Sequence, residues 1–209
     1  MIFFALMLQS CTSLFMSKSY KEQLASNKVI FDDEVNFLEL KSSDTLTDIG
    51  AQTGLIEAYY SVIIDNLHFN LLDTDEKSLT PKNIYNTNKI IKRLYHNNHH
   101  YSYDIYLNTN EKLPLPSFYC SKILCRKTVH EFTHSDDMIN EIYRVLHPNG
   151  ELYIIETNPK TLNQTDSICH FKLLPSDSII SMFSKHGFVL KKKKLSENKF
   201  NFFCFRKEG

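Results

Sequence analysis

The stretch TLTDIGAQTG, residues 45–54, decides the fold class. Residues 45–49 read as a short strand that runs into a turn holding Gly50 and Gly54. Residues 54–66 follow as a helix, with Ile56, Tyr59, Tyr60, Ile63 and Ile64 on one face. The chain has only 5 glycines in 209 residues, so two of them in one turn mark a place where the backbone must bend sharply or approach a ligand closely.

Outward from this unit the pattern alternates. Residues 69–72 form a second strand that ends in Asp73, and residues 83–95 a second helix. Residues 101–107 and 118–124 are the third and fourth strands. A helix over 137–146 is stopped by His147-Pro148-Asn149-Gly150, and 152–155 is the fifth strand. A helix over 176–186 ends at Gly187, and strands over 188–194 and 200–205 close the chain as a pair. Repeated strand–helix alternation predicts an α/β domain with a mainly parallel sheet and helices on both faces. In such sheets ligands bind beyond the carboxyl ends of the strands, at the switch point of strand order.

Charge narrows the functions available. The 24 basic and 24 acidic residues cancel, which argues against general nucleic-acid binding, since that needs a basic face. The basic run Lys191 to Lys194 reads as a protected sheet edge.

The N-terminus stands apart. Residues 2–8 are an unbroken apolar run, too short to span a bilayer and suited to a signal peptide. Leu8-Gln9-Ser10-Cys11 resembles a bacterial lipobox, in which Cys11 is lipidated. No Lys or Arg precedes Lys18, and an apolar helix packed on the domain is the alternative. This organisation predicts a signal and lipobox segment over 1–16, a polar tether over 17–30 and one domain over 31–209. It places the protein in the cell envelope on a membrane lipid anchor, with a cytoplasmic location as the alternative. Cys120 and Cys125 are separated by an odd spacing within one strand and face opposite ways, so they read as core residues and not as a disulfide.

From about Phe37 onward the chain resembles the class I S-adenosylmethionine-dependent methyltransferases. DIGAQTG is similar to their glycine-rich turn, LLDTDEKSL to the acid motif of the second strand, NEKLPLP to the segment before the fourth strand, and RVLHPNGELYIIET to the helix, turn and fifth strand. The segment TVHEFTHSDDMINEIYRVLHPNGELYIIE resembles an exported bacterial subgroup with a HEFSH-type stretch. The resemblance implies a Rossmann-like, mainly parallel seven-stranded sheet with a C-terminal antiparallel pair.

It also implies S-adenosylmethionine as cofactor, with Asp48, Gly50, Gln52 and Gly54 at the methionine end, Asp73 on the ribose and Thr74 beside the adenine. Asn108 and Thr109 fall where the family contacts the adenine amino group, and Cys125 and Arg126 would face the sulfonium and substrate. The sequence departs from the pattern at Gln52, where the family has glycine. It departs again near the adenine, where Asn108 or Thr109 replaces an acid.

His130-Glu131-Phe132-Thr133-His134 is a formal HExxH match, which on a continuous helix binds zinc. Asp136 and Asp137 mark a new helix start just after it, and no third ligand is evident, so no metal is assigned. His130, Glu131 and Arg126 are carried instead as candidate catalytic groups beside the acceptor, with His130 as the candidate base. The expected activity is methyl transfer to a small-molecule acceptor. An inactive exported binding module of the same fold is the alternative, and a zinc hydrolase the third reading.

Overall fold

The computed structural model describes residues 18–96, 99–197 and 199–209. Cys11 and the segment 1–16 lie outside them. The described elements are α1 (Lys18–Phe37), β1 (Thr45–Ile49), α2 (Leu55–Ile63), β2 (Leu67–Asp73), α3 (Pro81–Tyr95), β3 (Tyr101–Leu107) and β4 (Cys120–Arg126). They continue with a 3-10 turn (Val129–Glu131), α4 (Ser135–Val145), β5 (Leu146–Thr157), α5 (Ser176–Ser184), β6 (Phe188–Leu195) and β7 (Phe200–Lys207).

Among the described residues, seven strands form one sheet in the order β3-β2-β1-β4-β5-β7-β6. β1 pairs in parallel with β2 and β4, and β3 and β5 extend the parallel set outward. β7 runs antiparallel to both β5 and β6. This is the predicted Rossmann-like architecture. Strand order reverses between β1 and β4, which opens the ligand crevice at their carboxyl ends.

Strand alternation supplies a core on each face. On one face Leu46, Phe69, Leu124 and Tyr153 pack under α1, α2 and α3. On the other Ile49, Ile123, Cys125 and Ile154 pack under α4 and α5, which contribute Ile139, Ile142, Ile179 and Phe183. β6 is the sheet edge, and Lys191, Lys192 and Lys194 pair along it with Glu151, Glu39 and Asp33.

Two stretches differ from the sequence-based expectation. The polar stretch 17–30, expected as a tether, is helical from Lys18, in a helix that runs on to Phe37. No glycine or proline interrupts it, and Phe31 and Val35 bury against the domain. The expected turn at 147–150 instead begins β5, with a register shift between Cys120 and Lys122 on the neighbouring strand.

Candidate functional site

The turn after β1 is built on positive φ angles: Gly50 at 94°, Gln52 at 48° and Gly54 at 69°. The amides of Gly50 and Ala51 both donate to Leu72 O, at 2.8 and 3.0 Å, so the chain folds across the tip of β2. A Cβ on Gly50 would lie 2.3 Å from Thr128 Oγ1, so this position admits only glycine without movement. Gln52 is exposed. Its left-handed backbone costs roughly 1–2 kcal/mol for a residue with a Cβ.

Asp73 forms the rim. Its Oδ2 accepts the Gln52 amide at 2.8 Å and its Oδ1 accepts the Asp75 amide at 2.9 Å. A carboxylate has about four lone-pair positions, so each oxygen keeps capacity for a further donor. The Asn108 amide donates to Asp73 O at 3.0 Å, which brings the end of β3 to the same rim. Asn108 Nδ2 is spent on Thr109 O at 2.8 Å, while its Oδ1 is buried without a partner. Thr74 and Thr109 are exposed at the margin.

Asp48 occupies a different level. Its Cα pairs with Leu71, so it shares a face with Asp73 one row deeper. It is 2% exposed and faces Glu57 of α2, which is also buried. Burial pushes both carboxyls up, Asp48 furthest, and Asp48 Oδ1 and both Glu57 carboxylate oxygens are buried without a hydrogen-bond partner. Asp48 is therefore the floor under the turn and Asp73 the lip, so the two acids do not line one open surface.

Arg126 and Cys125 do not stand where the sequence reading put them. Arg126 Nε contacts Glu34 Oε1 and Oε2 at 3.1 and 2.9 Å, and its Nη2 reaches Oε1 at 2.8 Å. Its guanidinium lies 5.5 Å from the Phe31 ring centre and 5.7 Å from that of Phe200. Burial opposes its charge, and the Glu34 carboxylate overrides that and keeps it cationic. Tyr60 donates to the same carboxylate at 2.7 Å. Arg126 thus clamps α1 to the sheet. Cys125 is fully buried in the second core, where burial pushes its thiol up. Glu34 escaped the sequence reading, although an acid inside the apolar face Phe31, Val35 and Leu38 is the mark of a buried pair.

The HExxH stretch makes no zinc helix. Residues 129–131 are a single 3-10 turn, and His134 caps the separate helix α4, half-exposed and 3.4 Å from Glu111. His130 and His134 share no helical face. Two downstream acids, Glu141 and Glu151, are engaged by Arg144 and Lys191 and offer no third ligand. His130 turns inward instead. Its Nδ1 lies 2.7 Å from Glu156 Oε2, and its Nε2 lies 3.3 Å from Cys169 Sγ. The Glu156 Oε1 accepts the Val129 and His130 amides at 2.8 and 3.3 Å. Glu131 Oε1 approaches His130 Nε2 at 3.8 Å. Glu156 and Cys169 were not found from the sequence, because they lie 26 and 39 residues from His130.

Known proteins resemble this chain in sequence and in fold. A family model described as a methyltransferase domain matches residues 48–154. The chain is 37% identical over 68 residues to the ubiquinone/menaquinone biosynthesis C-methyltransferase UbiE of Neisseria meningitidis serogroup A, a match covering 32% of this chain. That match spans 28% of the relative's own length. A SAM-dependent methyltransferase from Aquifex aeolicus superposes with a TM-score of 0.66 at 15% identity, covering 90% of this chain and 96% of that one. The glycopeptide N-methyltransferase MtfA, solved with sinefungin, superposes with a TM-score of 0.60 at 8% identity, covering 87% of each chain. At these identities the structural matches speak for the fold alone.

Proposed function

Because the chain belongs to the methyltransferase domain family, we propose that it transfers a methyl group from S-adenosylmethionine to a small-molecule acceptor. The observation that carries this reading is the rim at the switch point. Asp73 accepts two amides there and has lone pairs for further donors, and Asn108 Oδ1 is a buried acceptor without a donor. The cofactor would supply a methyl activated on a sulfonium: the acceptor's lone pair would bond to the methyl carbon as the C–S bond breaks, and the neutral thioether would leave with that electron pair.

In this reading Asp73 accepts the ribose hydroxyls and Asn108 Oδ1 accepts from the adenine amino group. Gly50 and Gly54 hold the turn close to the methionine end, with the exposed Gln52 between them and Thr74 and Thr109 at the margin. Asp48 supports the turn from below. Direct displacement gains most from orientation, so the chain's main task is to hold two reactants in line and keep water out. A base is needed only where the acceptor must lose a proton, and His130, with Glu131 beside it, is the candidate for that step when its Nε2 carries no metal.

Calorimetry with S-adenosylmethionine tests the reading. Binding by the wild type that Asp73→Ala abolishes, with the fold intact, supports it. An inactive binding module is the second reading. Gln52 in a strained left-handed turn and the amides already on Asp73 favour it. No cofactor binding by a folded wild type would select that reading.

The sequence alone supports the remaining part of the proposal. Residues 1–16 act as signal and lipobox, Cys11 carries the lipid, the domain spans 31–209, and the protein belongs to the exported HEFSH-type subgroup of the cell envelope. Labelling with a fatty-acid analogue in cells, lost in Cys11→Ala, tests the anchor.

A further inference from the structure

We infer that His130, Glu131 and Cys169 form a binding site for a zinc-type divalent cation, with Glu156 as the residue that orients the histidine. His130 Nε2, a Glu131 carboxylate oxygen and Cys169 Sγ all lie within 4.8 Å of one another. Nε2 is 3.3 Å from the sulfur and 3.8 Å from the Glu131 oxygen. Zinc bonds of about 2.0–2.3 Å in a tetrahedron place ligand atoms roughly 3.3–3.8 Å apart, so one ion fits among these three with little movement.

The second observation is Glu156, whose side chain is 1% exposed. Its Oε1 is held by the Val129 amide, and its Oε2 receives His130 Nδ1 at 2.7 Å. In the neutral imidazole a proton on Nδ1 satisfies that carboxylate and turns the Nε2 lone pair toward Cys169. Carboxylate–histidine–metal sites use the same arrangement. Cys169 is delivered by a shaped loop, since Asp166 Oδ1 accepts the Ile168 and Cys169 amides at 2.8 and 3.4 Å.

The donor set selects the ion. One nitrogen, one sulfur and one carboxylate oxygen suit zinc and not the hard, oxygen-seeking calcium or magnesium. A Cys–His–Glu nucleophile is the competing use of Cys169, His130 and Glu156, and Glu131 argues against it. A carboxylate beside the sulfur repels a free thiolate, whereas a cation reconciles both anions. Three protein ligands leave one coordination position open, as in zinc sites that bind water or substrate. His130 lies just beyond β4, two residues after the Thr128 that packs on Gly50. The inference stands on these contacts and does not depend on methyl transfer.

The test is cobalt and zinc titration of the purified, reduced chain. The expected result is one ion per chain and a thiolate-to-cobalt charge-transfer band, absent in Cys169→Ser. Glu156→Gln should lower zinc affinity by about 10–100-fold while retaining the band. Zinc should also slow alkylation of Cys169 in the wild type, a readout that does not require the serine variant to fold. No thiolate band in the wild type, or rapid Cys169 alkylation indifferent to zinc, overturns the proposal, and the latter result points to the nucleophile.

Discussion

The Asp73 carboxylate accepts the backbone amide of Gln52 at 2.8 Å, so the acid at the tip of β2 is also the brace of the turn after β1. The residue it braces sits at φ 48°, a conformation that suits glycine. Gln52→Gly should therefore leave the brace in place and relieve the strain, raising stability by up to about 1 kcal/mol after glycine's own entropy cost. Urea unfolding reads the first effect, and calorimetry should show tighter cofactor binding. A loss of stability would mean that the Gln52 side chain makes a favourable contact.

Gly50 allows no such exchange. Its φ of 94° and the Thr128 contact at 2.3 Å predict that Gly50→Ala costs at least about 2 kcal/mol. Adding Thr128→Ala removes two of the three close contacts and should recover part of the loss, while the backbone strain remains. Thermal melting of the single and double variants separates the two causes.

Glu34 and Arg126 form the pair that fastens α1. The Glu34 side chain is fully buried and that of Arg126 is 14% exposed, so removing one partner strands a charge. Glu34→Ala should cost about 3–5 kcal/mol. The double variant Glu34→Leu with Arg126→Met should recover most of that, because it leaves no unpaired ion. Equal losses in the single and double variants would assign the cost to packing.

Glu57 sets a pH dependence. Burial raises the carboxyls of Glu57 and Asp48, so the folded chain holds their protons more tightly than the unfolded chain does. This contribution is fully present below the ordinary carboxylate range near pH 4 and is lost as pH rises through the raised values. Glu57→Gln removes the charge and supplies an amide N–H that Asp48 can accept. It should be more stable than wild type by about 1–3 kcal/mol at neutral and alkaline pH, with the gap closing towards pH 4. Unfolding midpoints across that range test it, and a variant less stable at pH 8 would contradict it.

Local pattern made much of the fold readable. The strands at 45–49 and 101–107 stand where alternation placed them, and Gly50, Gly54 and Asp73 signalled the turn and rim because strand tips and glycines carry meaning at short range. What escaped was non-local. Glu34 finds Arg126 across 92 residues, and His130 finds Cys169 across 39. No periodicity encodes such pairings. The HExxH pattern misled for the reverse reason: its spacing has meaning only on a continuous helix, and here the chain turns once and restarts at Ser135. Arg126 was likewise placed by family position, while the partner that decides its orientation lies in a helix outside the matched span.

Amide chemical shifts recorded while S-adenosylhomocysteine is titrated into the isotopically labelled chain test the adenosyl rim most directly. The predicted result is saturable shifts centred on residues 50–54, 73–75 and 108, which disappear in Asp73→Ala while the rest of the spectrum stays folded. Shifts centred elsewhere, or none at millimolar ligand, would contradict a cofactor seat built on Asp73.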